Sequence, residues 1–364
     1  MEIAREKKGQ GDIDSIESIL VFCWGLIGDV FLRVPLIEAL RRRFPAAYIV
    51  VIVDPQSTVV LENHPDCDRL IPLDRPNAAN WRHFPGMISM LRSLRRRKFD
   101  LSVDLYGGGS SPRASRFVNA EIRLSFGHTV ALRRASNLLV EHPPFSGHWS
   151  RELGVMLGPL GIATQEIRRG TSFYCSSEAQ EFARGFVAGM PKPLVAFNLG
   201  AGSHDKRWPV ERFVALARAI GARHGFSPLV FTNPGMEDLA RQFESLYGGG
   251  AVVAPMLSLD KVGALMQECS YVITGDTSLM HLAFGLKRPT LVLFTFTRPE
   301  MVIPEDCLTQ ACFVESTSGQ TYCGKLAGSI DIAVSDAVDK FDFLHSMAPL
   351  QGASALSRSH AVHD

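Results

Sequence analysis

The chain has 364 residues, 46% hydrophobic and 21% charged, which suits two globular domains and excludes a disordered or fibrous protein. No apolar run reaches the roughly 18–20 residues that cross a bilayer, and the polar stretch Met1–Ser15 has no signal-peptide core, so a loose tail is expected there. With 38 Lys and Arg against 37 Asp and Glu the net charge is +1, which argues against a general nucleic-acid binder.

The charge is uneven along the chain. Residues 1–150 hold 20 basic against 16 acidic side chains, and the remainder 18 against 21, so a mildly basic first half precedes an acidic second half. Such an excess is ordinary for a solvated surface, and it also suits an anionic partner. Seven cysteines at 23, 67, 175, 269, 307, 312 and 323 form no paired framework, which favours a reducing cytosol.

The apolar run Ser18–Cys23 reads as a strand, and Trp24–Asp29 as the glycine-bearing turn after it. Val34, Ile37 and Leu40 give a helical stripe ending at Arg41–Pro45, with Pro35 placed in the first turn of that helix. Strands are expected at Tyr48–Val53, Ile71–Leu73 and Leu101–Leu105, with a helix over Met87–Lys98 and a glycine corner at Gly107–Gly109. Arg113–His148 mixes short apolar pieces with Arg, Pro and Gly and reads as loops. Glu152–Leu160 looks helical. Ser172–Pro193 holds a polar helix and ends in the linker Pro191-Lys192-Pro193.

The alternation then restarts. Strands are expected at Leu194–Leu199, Pro228–Thr232, Ala251–Ala254, Tyr271–Thr274 and Thr290–Phe294, with helices over Val210–His224, Met236–Tyr247, Leu259–Glu268, the segment after Ser278, and 331–345. Gln351–Asp364 is a polar tail. Strands alternating with helices at this spacing mean doubly wound parallel sheets, and two such units in one chain imply a cleft between them where ligands lodge.

Three corners of the second unit carry polar residues that suit an oxygen-rich ligand. Gly200–Ser203 is a small-residue loop with Lys206 just beyond, a point charge suited to a diphosphate. Glu237 follows the turn Asn233-Pro234-Gly235, where a carboxylate can accept from both hydroxyls of a ribose. Gly275-Asp276-Thr277-Ser278 links a strand to a helix whose first N–H groups point out of the corner and suit a phosphate. Asp276 would repel that phosphate and is better used on sugar hydroxyls. The same residues also fit plainer roles: Asp276, Thr277 and Ser278 as helix caps, Lys206 and Glu237 as solvated charges, and His281 as packed structure.

The segments Gly-Ala-Gly-Ser-His-Asp-Lys-Arg-Trp-Pro (200–209), Gly-Asp-Thr-Ser-Leu-Met-His-Leu-Ala (275–283) and Gly-Leu-Ile-Gly-Asp-Val (25–30) resemble glycosyltransferase family 9, the ADP-heptose:lipopolysaccharide heptosyltransferases. The resemblance covers about residues 18–345 and implies a GT-B fold: two Rossmann-like doubly wound domains facing a cleft, acceptor side first and nucleotide-sugar side second. The division expected is a tail at 1–17, a first domain at 18–175, a linker at 176–193, a second domain at 194–330, a helix crossing back at 331–349 and a disordered tail at 350–364.

The activity implied is inverting, metal-independent transfer of a sugar from a nucleotide sugar, with ADP-heptose the expected donor and no cofactor. The acceptor implied is a lipid-linked saccharide core at the inner face of the membrane, which places the protein in the cytoplasm, with peripheral membrane contact an open option. Asp29 matches the general base, and burial is expected to raise its pKa toward usefulness; a helix N-cap is the plainer role for it. Lys206, with Ser203, Thr277 and Ser278, matches the diphosphate site; Glu237 matches the ribose contact, Asp276 a sugar contact, and His281 a family position assigned here to the donor sugar.

Two departures stand out. Ser278 replaces a glycine common in the family, and Phe294-Thr-Phe-Thr-Arg-Pro299 replaces Phe-Gly-Pro-Thr-Asp-Pro, which bears on donor identity. Cys307, Cys312 and Cys323 lie where members often carry a cysteine cluster, but their spacing is not that of a zinc site. Asp66-Cys67-Asp68 has the D-x-D form used for manganese elsewhere and reads here as a solvated turn. The basic run Arg95–Lys98 suits a helix C-terminus, with contact to membrane anions as the weaker alternative. Rival activities are a nucleotide-sugar epimerase, which needs no acceptor, and a nucleotide-sugar-binding protein without catalysis; the aspartate at 29 argues against the latter.

Overall fold

The structure is a computed structural model that describes residues 13–73, 84–144, 147–202, 207–314 and 332–348. The chain divides into two compact units between Tyr174 and Cys175. Expectations for residues 1–12, Ser203, Lys206, Cys323 and the C-terminal tail lie outside the described residues.

In the first unit β1 (Ser18–Phe22), β2 (Tyr48–Val53), β3 (Arg69–Pro72), β4 (Phe99–Asp104), β5 (Ala120–Phe126) and β6 (Leu138–Val140) form one sheet. Its order is β3-β2-β1-β4-β5-β6, with every described pairing parallel. The Ile, Val and Leu runs of β1 and β2 are buried on both faces, as a parallel sheet covered by helices requires. Its helices are α1 (Ile27–Arg43), α2 (Phe84–Arg95), α3 (Ser111–Phe117), α4 (Val130–Ala135) and α5 (Trp149–Gly154).

Arg113–His148, expected as loops, instead contains β5, β6, α3 and α4. Ala120-Glu-Ile-Arg-Leu-Ser-Phe126 begins with the period-two alternation of a strand. Arg123 obscures it. Its guanidinium donates to the Ala135 and Ala120 carbonyls (2.9 and 2.7 Å), so a charged side chain is tied off at the sheet rather than marking a loop.

Pro35 also differs from expectation, because α1 starts at Ile27 and places it mid-helix. The early start follows from Leu26, whose extended backbone lets the Asp29 carboxylate accept from its N–H (3.0 Å) while Val30 N donates to its carbonyl. An interior proline leaves the carbonyl four residues earlier without its helical donor. That carbonyl is Phe31 O, and the Thr171 hydroxyl supplies the missing bond at 2.8 Å.

The second unit begins with α6 (Ser177–Phe186), which lies inside the stretch expected as a linker. Ser176 caps it, and also donates from its hydroxyl (2.6 Å) and its N–H (3.0 Å) to Asp260. Then come β7 (Leu194–Asn198), α7 (Val210–His224), β8 (Ser227–Phe231), α8 (Glu237–Tyr247), β9 (Val252–Val253), α9 (Leu259–Gln267), β10 (Tyr271–Gly275), α10 (Ser278–Gly285), β11 (Thr290–Leu293), β12 (Thr309–Cys312) and α11 (Val334–Met347). The sheet order is β12-β11-β10-β7-β8-β9, again parallel in every described pairing. Phe341 and Leu344 of α11 bury themselves in the core that Phe197, Phe213, Phe243 and Tyr271 share.

Each sheet reverses its winding beside its first strand: between β1 and β4 in the first unit, and between β7 and β10 in the second. Ligands of open α/β sheets bind outside the carboxyl ends of the strands at such points. No helix among the described residues is long and apolar enough to cross a membrane.

Candidate functional site

At the switch point of the second sheet, β7 ends in Asn198 and β10 runs into the corner Gly275–Ser278. Asn198 is buried, and its Nδ2 donates to Thr274 Oγ1 (2.9 Å) and Thr277 Oγ1 (3.0 Å). Thr277 occupies the N-cap position of α10, yet its side chain makes no cap bond to the helix. Its hydroxyl is held against the amide instead. Among the described residues Thr277 thus gives the first turn of α10 no side-chain cap, so the plain capping role is not taken up by Thr277 and the helix N–H groups suit an anion. Ser278 is the first residue of that helix and is half-buried.

The neighbouring corners close on this one. Gly200 follows β7, and a Cβ there would stand 2.7 Å from Asn233 Cγ, so only glycine lets the loops after β7 and β8 approach. Asn233 O accepts from Met236 N (3.0 Å), forming the turn that leads to Glu237. Glu237 opens α8, is exposed, and accepts from Gly235 N at 3.1 Å. Hydrogen bonds from its own N–H and that of Gly235 hold its carboxyl below the usual range, so it stays an acceptor. Ser203 and Lys206, between these corners in sequence, lie outside the described residues.

Asp276 is buried and its Oδ2 accepts from Thr297 N at 2.8 Å, tying the corner to the loop after β11. That is the loop whose sequence departs from the family pattern. His281 lies buried on α10, its ring edge-on to Phe284.

The first unit builds a second corner at its own switch point. Gly25 N donates to Asp54 Oδ2 (2.7 Å), the Ser57 hydroxyl donates to Gly25 O (2.8 Å), and Arg33 Nη1 donates to Trp24 O. A Cβ on Gly25 would meet Arg33 Nη1 at 2.7 Å and Asp29 Cβ at 2.8 Å, so the turn closes only around glycine. Asp29 is exposed, not buried, and stands at the third position of α1 rather than at its N-cap. The burial expected for it is therefore absent.

Buried Asp104 ends β4, and burial pushes its carboxyl up against hydrogen bonds from Gly107 N (2.9 Å), Ser111 Oγ (2.6 Å) and Tyr106 N (3.2 Å). It holds the glycine loop in place. Asn198, Asp54 and Asp104 were missed in the sequence. Their shared signal is a polar residue at the carboxyl end of an apolar strand, where the chain leaves the sheet for the ligand edge.

The remaining candidates serve the fold. Asp68 Oδ2 accepts from Ile49 N (2.7 Å) and Arg41 Nη2 (2.5 Å), so the D-x-D stretch is a pinned turn rather than a solvated one. In the basic run, Arg97 lies over Tyr48 (4.8 Å), Arg95 over Phe117 (5.1 Å), and Lys98 pairs with Glu121 (3.1 Å). Cys307 and Cys312 are buried, and burial pushes each thiol up to about 12, which keeps them protonated. Among the described residues no three His, Cys, Asp or Glu side chains converge.

Residues 87–321 match the family model of glycosyltransferase family 9 (heptosyltransferase). A similar sequence is a lipopolysaccharide heptosyltransferase 3 of Escherichia coli, 24% identical over 74% of this chain and 81% of its own. Among solved structures, a glycosyl transferase family 9 protein of Veillonella parvula superposes with TM-score 0.81 at 22% identity, covering 93% of this chain and 100% of that one. The E. coli ADP-heptose lps heptosyltransferase II gives TM-score 0.73 at 18% identity over 91% and 99%. The fold is thus GT-B, built of two Rossmann-like parallel-sheet domains, and the chain belongs to glycosyltransferase family 9 and is a glycosyltransferase.

Proposed function

We propose that the chain transfers heptose from ADP-heptose to a saccharide of the lipopolysaccharide core, inverting the anomeric carbon without a metal ion. The observation that carries this reading is the tip of α10 at the switch point, where Asn198 holds the Thr277 hydroxyl away from the helix. A diphosphate placed there meets helix N–H groups and the Ser278 side chain, with Lys206 and Ser203 adding charge and donors. Glu237 takes the ribose hydroxyls, while Asp276 and His281 face the sugar. The relatives named as lipopolysaccharide and ADP-heptose heptosyltransferases support this choice of substrates.

In the step proposed, Asp29 takes the proton of an acceptor hydroxyl as that oxygen attacks the anomeric carbon. The bond from that carbon to the diphosphate breaks on the opposite face, and its electron pair leaves with ADP. Charge on the departing phosphate grows, which is where the α10 tip and the Lys206 ammonium contribute. The acceptor is lipid-linked and the reaction runs in the cytoplasm, with peripheral contact at the inner membrane.

The test supplies ADP-heptose and a heptose-free core acceptor to the purified chain in the presence of EDTA. Release of ADP with one heptose added is expected. Asp29→Asn keeps an oxygen to accept from Leu26 N, so it preserves the helix start while removing the base. A loss of about 10²–10⁴ in kcat is expected for it. Wild-type turnover in that variant removes Asp29 from the role, and absence of heptose transfer by the wild type defeats the reading as a whole.

A further inference from the structure

Arg33 stands one turn after Asp29 on the same face of α1, and it is a cation where the fold needs only a hydrogen-bond donor. It is 9% exposed, its Nη1 donates to Trp24 O, and its guanidinium lies 6.0 Å from the centre of the Tyr106 ring. A neutral amide would satisfy that carbonyl. Burying a guanidinium there is costly unless an opposite charge stands near it.

The neighbours say which charge that is. Burial pushes the Cys23 thiol up to about 11, so no thiolate stands beside the guanidinium. Buried Asp104 is already held by Gly107 N, Tyr106 N and the Ser111 hydroxyl, and Asp54 Oδ2 accepts from Gly25 N. Asp29 is the exposed carboxylate of the three. Its Oδ2 accepts from Leu26 N, and its Oδ1 takes no hydrogen bond among the described residues. Asp29 Oδ2 and Arg33 Nη1 lie 3.1 and 2.7 Å from one point, the place a Cβ on Gly25 would occupy. The two are therefore within about 6 Å of each other, close enough for opposite charges to attract in a partly buried corner.

We propose that Arg33 is a positioning residue for the base. By fixing Trp24 O it closes the turn that delivers Leu26 N to Asp29 Oδ2, and its charge draws that oxygen inward so that Oδ1 faces the acceptor hydroxyl. The inference rests on Asp29 as the base in the reading given above, and adds to it the residue that orients the carboxylate. Without Arg33, a carboxylate on the exposed first turn of a helix is held by one hydrogen bond. A displacement of about 1 Å at the reacting group costs on the order of a hundredfold in rate.

Steady-state kinetics with ADP-heptose and the heptose-free core acceptor, on Arg33→Met, Arg33→Lys, Asp29→Asn and the double variant Asp29→Asn/Arg33→Met, test the proposal. Arg33→Met keeps the apolar stem and is expected to lose about 10²-fold in kcat, with KM for both substrates at the wild-type value. Arg33→Lys keeps a charge and a donor and is expected to restore most of that rate. In the Asp29→Asn background, Arg33→Met is expected to cost nothing further, because a residue that acts through the base is silent without it. Where the methionine variant does not fold, Arg33→Gln, which keeps a donor for Trp24 O and removes the charge, carries the same comparison. A wild-type rate without the charge, a loss carried by KM, or a further fall in the double variant overturns the assignment and leaves Asp29 as the base. Wild-type turnover in Asp29→Asn defeats the base reading, and the role of Arg33 with it.

Discussion

Asn198 shows how one buried amide decides what a helix terminus is for. Threonine at an N-cap normally turns its oxygen onto the helix N–H groups. Here Nδ2 of Asn198 holds that oxygen at 3.0 Å, and Asn198 itself stays in register because Gly200 N donates to its Oδ1 (3.3 Å). Asn198→Asp would remove both donations to Thr274 and Thr277 and place a negative charge beside the proposed diphosphate. A fall of about tenfold in ADP affinity is expected by calorimetry, with a smaller fall for Asn198→Ala. Equal affinity for ADP in Asn198→Asp and wild type would mean the amide has no part in the site. Asp29 carries the opposite lesson: its carboxylate both starts a helix and stands as candidate base, which is why asparagine rather than alanine separates the two duties.

Among the elements, α1 connects sequence to packing most directly. A proline inside a 17-residue helix should break it, yet α1 continues because the Thr171 hydroxyl takes over the carbonyl that Pro35 abandons. Ser150 adds a second donor from outside the helix, to Leu32 O at 2.9 Å. Thr171→Val keeps the shape and deletes the donor. Deleting the Thr171 donation to Phe31 O in the core is expected to cost about 1–3 kcal/mol, visible as a lower denaturation midpoint with an unchanged slope. A variant as stable as wild type would show that water or a shift of the helix replaces the bond. The strands missed in Arg113–His148 belong to the same scale: alternation was present, but arginines tied to carbonyls imitate a loop in composition.

For the molecule as a whole, the second unit closes with a cluster that responds to pH. The ring of His345 of α11 lies against that of His224 at a tilt of 59° (centroids 4.5 Å), and its Nδ1 lies 2.9 Å from the Tyr271 hydroxyl. Asp342 bonds His224 Nε2 at 2.7 Å and also pairs with Arg223. Burial, and then repulsion from His224, hold the His345 imidazole below the ordinary histidine range, against the opposing pull of Asp342. The folded state therefore binds fewer protons than the unfolded chain near that range, so stability rises with pH there. The contribution is fully present above about pH 6.5, the unfolded value, and is lost as pH falls through the lowered folded value. Thermal melts should show the melting temperature of wild type falling below pH 6.5, and His345→Gln should flatten that fall. An identical pH profile in the variant would remove His345 from the effect. The ring is partly exposed, so the shift is expected to be small.

Much of this protein was legible in the sequence. The runs at Ser18–Cys23, Tyr48–Val53, Leu194–Leu199, Tyr271–Thr274 and Thr290–Phe294 are long, apolar and bounded by turns, and each is a strand of a parallel sheet. Local periodicity determines such elements because both faces must be buried. The motifs at 25–30, 200–209 and 275–283 named the family for a similar reason, since glycine corners at strand ends tolerate few substitutions. Tertiary structure alone decided what the polar residues do there. Asn198 meets Thr277 across 79 positions, Phe31 meets Thr171 across 140, and Asp276 meets Thr297 on the next strand's loop. No local pattern records a hydrogen bond whose partner arrives from another element, and the orientation of a side chain at a site depends on that partner.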